Sequence, residues 1–282
     1  MAEASIPVDL RNPGQVFACL GLMEAAEVCC GRPEGRFRVR EGAFDIRCDA
    51  PSHPVKVVLN FLAKCTLAVE VPKGSEIRDR FKQPVIFNDR GESPSRVPKA
   101  DRLPVILRDE EGAELYISSW CDSDAGRDPV KFWGGAAGFS AAGRLAGQLA
   151  ALYGISSSDL GVLVADPFSF ESANLKTAFR FDPRSGYTAL DMGFSIDQHS
   201  TIKMPKYPIV EILAAIGLEN ARPRRNGSRI SYSYGVWHDW LPLWLARPAL
   251  GLADIGFDVE SFTMTLAEPN DYDRVIVEVS SQ

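Results

Sequence analysis

The sequence predicts an α+β fold of antiparallel β-hairpins with helices packed on the sheet, and it leaves open a build of two similar halves. Three observations lead there. Short segments alternating apolar and polar residues recur in pairs across turn residues. Between those pairs stand single segments with apolar residues at helical spacing, rather than the unbroken series a bundle needs. The hydrophobic fraction is 45% and the charged fraction 24%, ordinary values that supply a core and exclude a disordered or fibrous chain.

Each element has its own signal. Asn12 and Pro13 start a helix over 14–30, and Gly31 stops it. Residues 36–40 alternate as Arg-Phe-Arg-Val-Arg and residues 43–48 alternate again after Glu41-Gly42, a hairpin whose wet face carries Arg36, Arg38 and Arg40. A second, largely buried helix is expected over 55–69, although the β-branched run at its start favours extended backbone. The stretch 72–104 is rich in Pro, Gly, Arg and Asp and has little periodicity, so it reads as a functional or mobile loop. Segments 103–108 and 114–120 form a hairpin across Asp109-Glu110-Glu111-Gly112, and 138–153 forms a helix of small residues ending at Gly154. A further hairpin is expected from 175–182 and 188–196 across Pro183-Arg184-Ser185-Gly186. Then come a helix over 208–218 with Glu211 near its positive end and strands over 229–236, 257–266 and 274–279. The helices at 17–28 and 208–218 are expected to lie on sheet rather than on each other. They share a short motif, an apolar run followed by Gly, Leu or Leu-Met, and Glu, as a duplicated unit would.

The chain of 282 residues shows no linker, so 1–282 is read as one compact domain or as two tightly packed halves divided near 130. Its start, MAEASIPVDL, lacks the charged and apolar regions of a secretory signal, so a cytoplasmic location is expected, and no apolar run is long enough to span a membrane. The six cysteines (Cys19, Cys29, Cys30, Cys48, Cys65, Cys121) lack paired metal-ligand spacing and read as buried thiols. No cofactor is implied. A formal charge of −6 argues against wrapping nucleic acid by bulk charge, while leaving room for a local basic patch.

Most local constellations read as structure. Asp122 to Asp128 resembles the opening of a calcium loop, but the glycine falls one place early and Trp133 stands where the bidentate Glu belongs. The glycines of Trp133 to Gly138 precede a helix without the Lys-Ser/Thr of a phosphate loop, so close helix packing is the plainer reading. His53, His199 and His238 lie far apart and no Ser or Cys sits on a nucleophile elbow. The cluster Arg222, Arg224, Arg225 and Arg229, followed by Tyr232, Tyr234 and Trp237, is different. Guanidinium groups grip phosphates and aromatic faces stack on bases, so Arg222, Arg224, Arg225, Arg229, Tyr232 and Tyr234 are the candidate nucleic-acid-binding residues. The competing reading is a solvated loop leading into a strand with its aromatic face in the core.

Ile6-Pro7-Val8-Asp9 followed by Asn12-Pro13-Gly14-Gln15-Val16-Phe17-Ala18-Cys19-Leu20-Gly21 resembles the amino-terminal signature of a CRISPR-associated protein family of type I-G (formerly I-U) interference modules. Phe179 to Pro183, Tyr207 to Leu218 with Arg222-Pro223, and Trp237 to Arg247 look similar to further segments of that family. The resemblance implies a role in prokaryotic antiviral defence, as a non-catalytic subunit or accessory of a Cascade-like complex. Its partners would be the other effector subunits, with guide RNA and target DNA met through the complex, where base pairing reads sequence and protein supplies backbone contacts. No catalytic residue is carried over. The rival expectation is a metal-independent endoribonuclease that processes guide RNA, with His199 or His238 as general acid or base beside a tyrosine.

Overall fold

The computed structural model describes residues 1–69, 104–118, 141–173, 175, 178–185, 204–270 and 273–281. Among them the chain is a mixture of helix and antiparallel sheet. It opens with β1 (Ala2–Pro7), α1 (Pro13–Cys30), β2 (Glu34–Arg38), β3 (Ala43–Cys48), α2 (Pro54–Lys64) and β4 (Thr66–Val69). There follow β5 (Val105–Arg108), β6 (Glu114–Ile117), α3 (Ala141–Ala150) and α4 (Ser157–Leu163). The last part is α5 (Pro208–Asn220), β7 (Arg224–Arg225), β8 (Ser231–Trp237), β9 (Leu241–Pro242), α6 (Leu243–Leu250), β10 (Val259–Asn270) and β11 (Asp273–Ser281).

Three sheets result, ordered β1-β3-β2-β9, β11-β10-β8-β7 and β4-β5-β6. In the first, β1 and β2 both run antiparallel to β3, which sits between them, so α1 is the crossover of a split β-α-β unit. Trp237 ties the first two sheets together. Its indole Nε1 donates to Gly35 O at 2.8 Å, and its ring packs edge-on against Phe37 at 4.9 Å.

The expectation that the helices near 17–28 and 208–218 avoid each other is corrected: α1 and α5 form the most extensive helix-helix contact of the described fold. The reason is visible at the crossing. A Cβ added to Gly21 would meet the carbonyl of Leu213, with its carbon at 2.6 Å, and one added to Gly217 would meet Phe17 O and Gly21 N. Two glycines therefore let the backbones touch. Both helices are apolar on nearly every side, so neither could be satisfied by a sheet on one face alone.

The contact is reciprocal. Gly21 meets the carbonyl four residues before Gly217, and Gly217 meets the carbonyl four residues before Gly21. Three residues beyond each glycine, Asn220 Nδ2 donates to Glu24 Oε2 at 3.2 Å. Six residues ahead of each glycine, Gln15 and Glu211 do matching work: Gln15 Oε1 accepts the Asp9 N–H at 2.7 Å, and Glu211 accepts those of Arg180 and Asp182 at 2.9 and 3.1 Å. Asp9 and Asp182 in turn each accept the N–H two residues on, from Arg11 and Arg184, both at 2.9 Å. The glycines of the shared motif are thus reciprocally placed, while its two Glu residues part company: Glu219 accepts from Ser118 N–H and Oγ–H at 2.8 and 2.6 Å. The expected division near 130 lies outside the described residues.

Three further expectations change. The helix expected over 55–69 stops at Lys64, where Cys65 N–H closes on Phe61 O, and Thr66–Val69 pairs with β5 instead. The described residues of 175–182 form no strand: Arg180 has φ of +67°, and the backbone N–H groups of Arg180 and Asp182 are spent on Glu211. The partner segment 188–196 lies outside the described residues, as do 72–103, 122–128 and 133–138. Helices α4 and α6 were not legible in the periodicity. The first is seven residues capped by Ser156 with Asp159, and the second carries Pro248 in its interior.

Candidate nucleic-acid interface

After α5, Ala221 turns extended and Pro223 keeps the chain so, which brings Arg224 and Arg225 onto the edge of the second sheet as β7. Arg224 pairs with Ser233 and Arg225 with Tyr232 of β8. A turn follows, in which Gly227 takes φ of +73° and Asn226 N–H donates to Ser231 O at 3.0 Å. Asn226 Nδ2 also reaches Ser233 Oγ at 2.7 Å, so the turn is braced from within.

This geometry exposes Arg224, Arg225 and Arg229. Arg225 Nε folds back on Ser228 O at 3.0 Å, and the half-buried Arg222 donates to Ala221 O at 2.9 Å. Successive strand residues point to opposite faces, so the arginines wrap the sheet edge instead of lining one face. That arrangement suits grip on a phosphate chain that crosses the edge.

The tyrosines are corrected. Tyr232 and Tyr234 are 1% and 0% exposed, so neither ring offers a face to a base. The physical reason is that β8 is covered on both sides, leaving no wet face for its alternation to display. Tyr232 OH donates to Arg229 O at 3.1 Å and thereby supports the basic turn from below. Tyr234 stacks on Phe262 at 5.6 Å, meets Phe17 edge-on and donates to Leu10 O at 2.8 Å; burial raises its phenol pKa.

The other candidates find structural work. His53 caps α2, accepting from Lys56 N–H, and burial lowers its pKa with Lys56 adding to the effect. His238 Nε2 stands 3.9 Å from Glu260 Oε2, and His199 lies outside the described residues. Cys19, Cys30, Cys48 and Cys65 are buried and Cys29 half-buried, all as free thiols, while Cys121 falls outside the described residues. Among the described residues no group of three His, Cys, Asp or Glu could hold a metal ion. Arg36 and Arg38 of the expected wet face both turn onto Asp45, at 3.0 Å, and Arg36 and Arg47 lie on the Trp240 ring.

The sequence marks Glu211 only as a charge near the positive end of its helix. It is fully buried, and burial lifts its carboxyl to about 7 against the pull of its backbone N–H donors. Beside it Asp182, also fully buried, is held by Asn12 Nδ2 at 2.9 Å and by the Arg184 fork, whose guanidinium lies 3.7 Å over the Tyr207 ring. Its partners are amides and a guanidinium already in place, so this node braces the start of both crossing helices.

Comparison with protein-family models, curated proteins and solved structures finds no match for this chain.

Proposed function

We propose that this chain is a non-catalytic subunit or accessory of a type I-G CRISPR interference complex, acting in the cytoplasm, and that its arginine edge contacts a nucleic-acid backbone or an acidic neighbour. The observation that carries the contact is the exposure of Arg224, Arg225 and Arg229 on one edge strand and its turn, in a chain of net charge −6. A local grip of this kind serves a subunit held in place by others, where few phosphate contacts suffice.

The assignment to the complex rests on the resemblance. The four segments that carry it all pack along the α1–α5 pair, since they supply the crossing glycines, the Asn12 and Asp182 brace, Glu211 and the Arg247 that clasps Glu24 at 2.7 Å. That convergence supports reading them as one core rather than as scattered likeness. No helix among the described residues is long and apolar enough to cross a membrane.

Copurification with the neighbouring gene products, with and without guide RNA, is the test. Stable association is expected, and its failure under both conditions overturns the reading. Replacing Arg222, Arg224, Arg225 and Arg229 by Ala should flatten the salt dependence of nucleic-acid capture by about one counterion per lost phosphate contact. An unchanged salt titration makes the edge a solvated loop.

A further inference from the structure

The last turn of α1 and the adjoining face of α2 leave a groove of about 450 Å³ beneath the β5–β6 turn. Its floor carries Val28, 39% exposed, and the half-buried Val57 over the buried Phe61, with Asn60 beside them. Its rim is acidic. Glu110 and Glu111 are exposed at the turn, and the turn is held rigid by Asp109, whose carboxylate accepts the N–H groups of Glu111 and Ala113 at 3.0 and 2.8 Å. Among the described residues Lys64 is the one cation in the lining.

A second source of negative potential lies alongside. The last turn of α1 holds no basic residue, so the carbonyl end of an 18-residue helix presents a partial negative charge to this region, while Glu27 in that turn lines a different groove with Arg32 and Arg47. Burial raises the pKa of the Cys29 thiol at the groove, and the nearby Cys30, Asp109 and Glu111 add to the shift.

We propose that this groove docks a basic, amphipathic segment of a partner protein, with Lys or Arg side chains meeting Glu110 and Glu111 and apolar side chains seated on Val28 and Val57. Charge complementarity selects the occupant: a nucleic acid would meet like charge, and a purely apolar segment would strand the acidic rim against its flanks. The proposal goes beyond the arginine edge and does not depend on it, because it concerns a surface of opposite sign on other elements.

The probe is a fluorescein-labelled Leu/Lys amphipathic peptide of about four helical turns, titrated by anisotropy against the full chain. A Leu/Glu counterpart and a Lys/Ser peptide of equal charge run beside it. Binding of the Leu/Lys peptide is expected, with the other two weaker by about tenfold or more. Glu110→Lys/Glu111→Lys should weaken it by about tenfold, and Val28→Ser by several-fold, whereas Asp258→Lys/Glu278→Lys, which changes net charge equally elsewhere, should leave it unaltered. No binding, equal binding of the Lys/Ser peptide, or an equal loss in the two charge-reversal variants overturns the proposal. So does a sedimentation experiment in which a dimer of this chain dissociates on Glu110→Lys/Glu111→Lys, since the occupant would then be a second copy.

Discussion

Replacing Gly21 by Ala tests the helix crossing on which the fold turns. The added methyl would lie 2.6 Å from the Leu213 carbonyl carbon and closer still to its oxygen, where ordinary contact begins at 3.4 Å. Nothing flexible can yield, because the obstacle is backbone. The helices must part by about 1 Å at their closest point, and overpacking of this kind costs roughly 1–3 kcal/mol, with backbone obstacles at the upper end. The better helix propensity of Ala returns less than about 1 kcal/mol of that. Gly161 in α4 is the matched control, since a Cβ there meets nothing within 4 Å, so Gly161→Ala should stabilise by up to about 1 kcal/mol. The same substitution is thus expected to act with opposite sign at two helical sites. Urea unfolding followed by circular dichroism measures both. The pair Gly21→Ala/Gly217→Ala should fall short of additivity, because helices already parted accept the second methyl more readily. A Gly21→Ala chain within about 0.5 kcal/mol of the parent would refute the contact.

Further outcomes follow from single groups. The Glu211 carboxyl is lifted from the ordinary 4.5 to about 7, so the folded chain holds a proton that the unfolded chain releases between those values. Stability should therefore be full below about pH 4.5 and fall as pH rises towards 7, by a few kcal/mol in order of magnitude, and Glu211→Gln should remove that slope; a slope that survives the substitution places its origin elsewhere. Tyr234→Phe should cost about 0.5–1.5 kcal/mol through the lost bond to Leu10 O and leave nucleic-acid capture unchanged. Weaker capture at unaltered stability would show instead that the ring is accessible.

Gln15 and Glu211 illustrate how far the site could be read in advance. They hold equivalent places in the two crossing helices, yet one is an amide and the other a carboxylate. Gln15 accepts from one backbone N–H, which an amide oxygen satisfies, while Glu211 accepts from two residues, one at each oxygen, a pair of acceptors that a carboxyl group offers and an amide does not. Nothing in the spacing of either segment announces that demand, because the donors come from 180 and 182, far along the chain. The exposure of Arg224, Arg225 and Arg229 followed from composition, since guanidinium groups are rarely buried without partners. The burial of Tyr232 and Tyr234 did not, because aromatic residues alternate in a strand in the same way whether one face is wet or both are covered.

Local chemistry was legible: Asn12-Pro13 and Gly31 bound α1, Glu41-Gly42 and the 109–112 run turn two hairpins, and the mixed class follows from their alternation. These are interactions among residues a few places apart, so the sequence by itself determines them. Which surfaces meet was decided by tertiary structure. Glycine in a helix reads as a weak propensity penalty until a second helix arrives, and only the pairing of Gly21 with Gly217 turns two such penalties into a backbone-to-backbone helix crossing. The acidic turn at 109–112 likewise reads as solvated until α1 and α2 place Val28 and Val57 beneath it. Both depend on distances between elements, and these are set by the packing of the whole core rather than by neighbours in the chain.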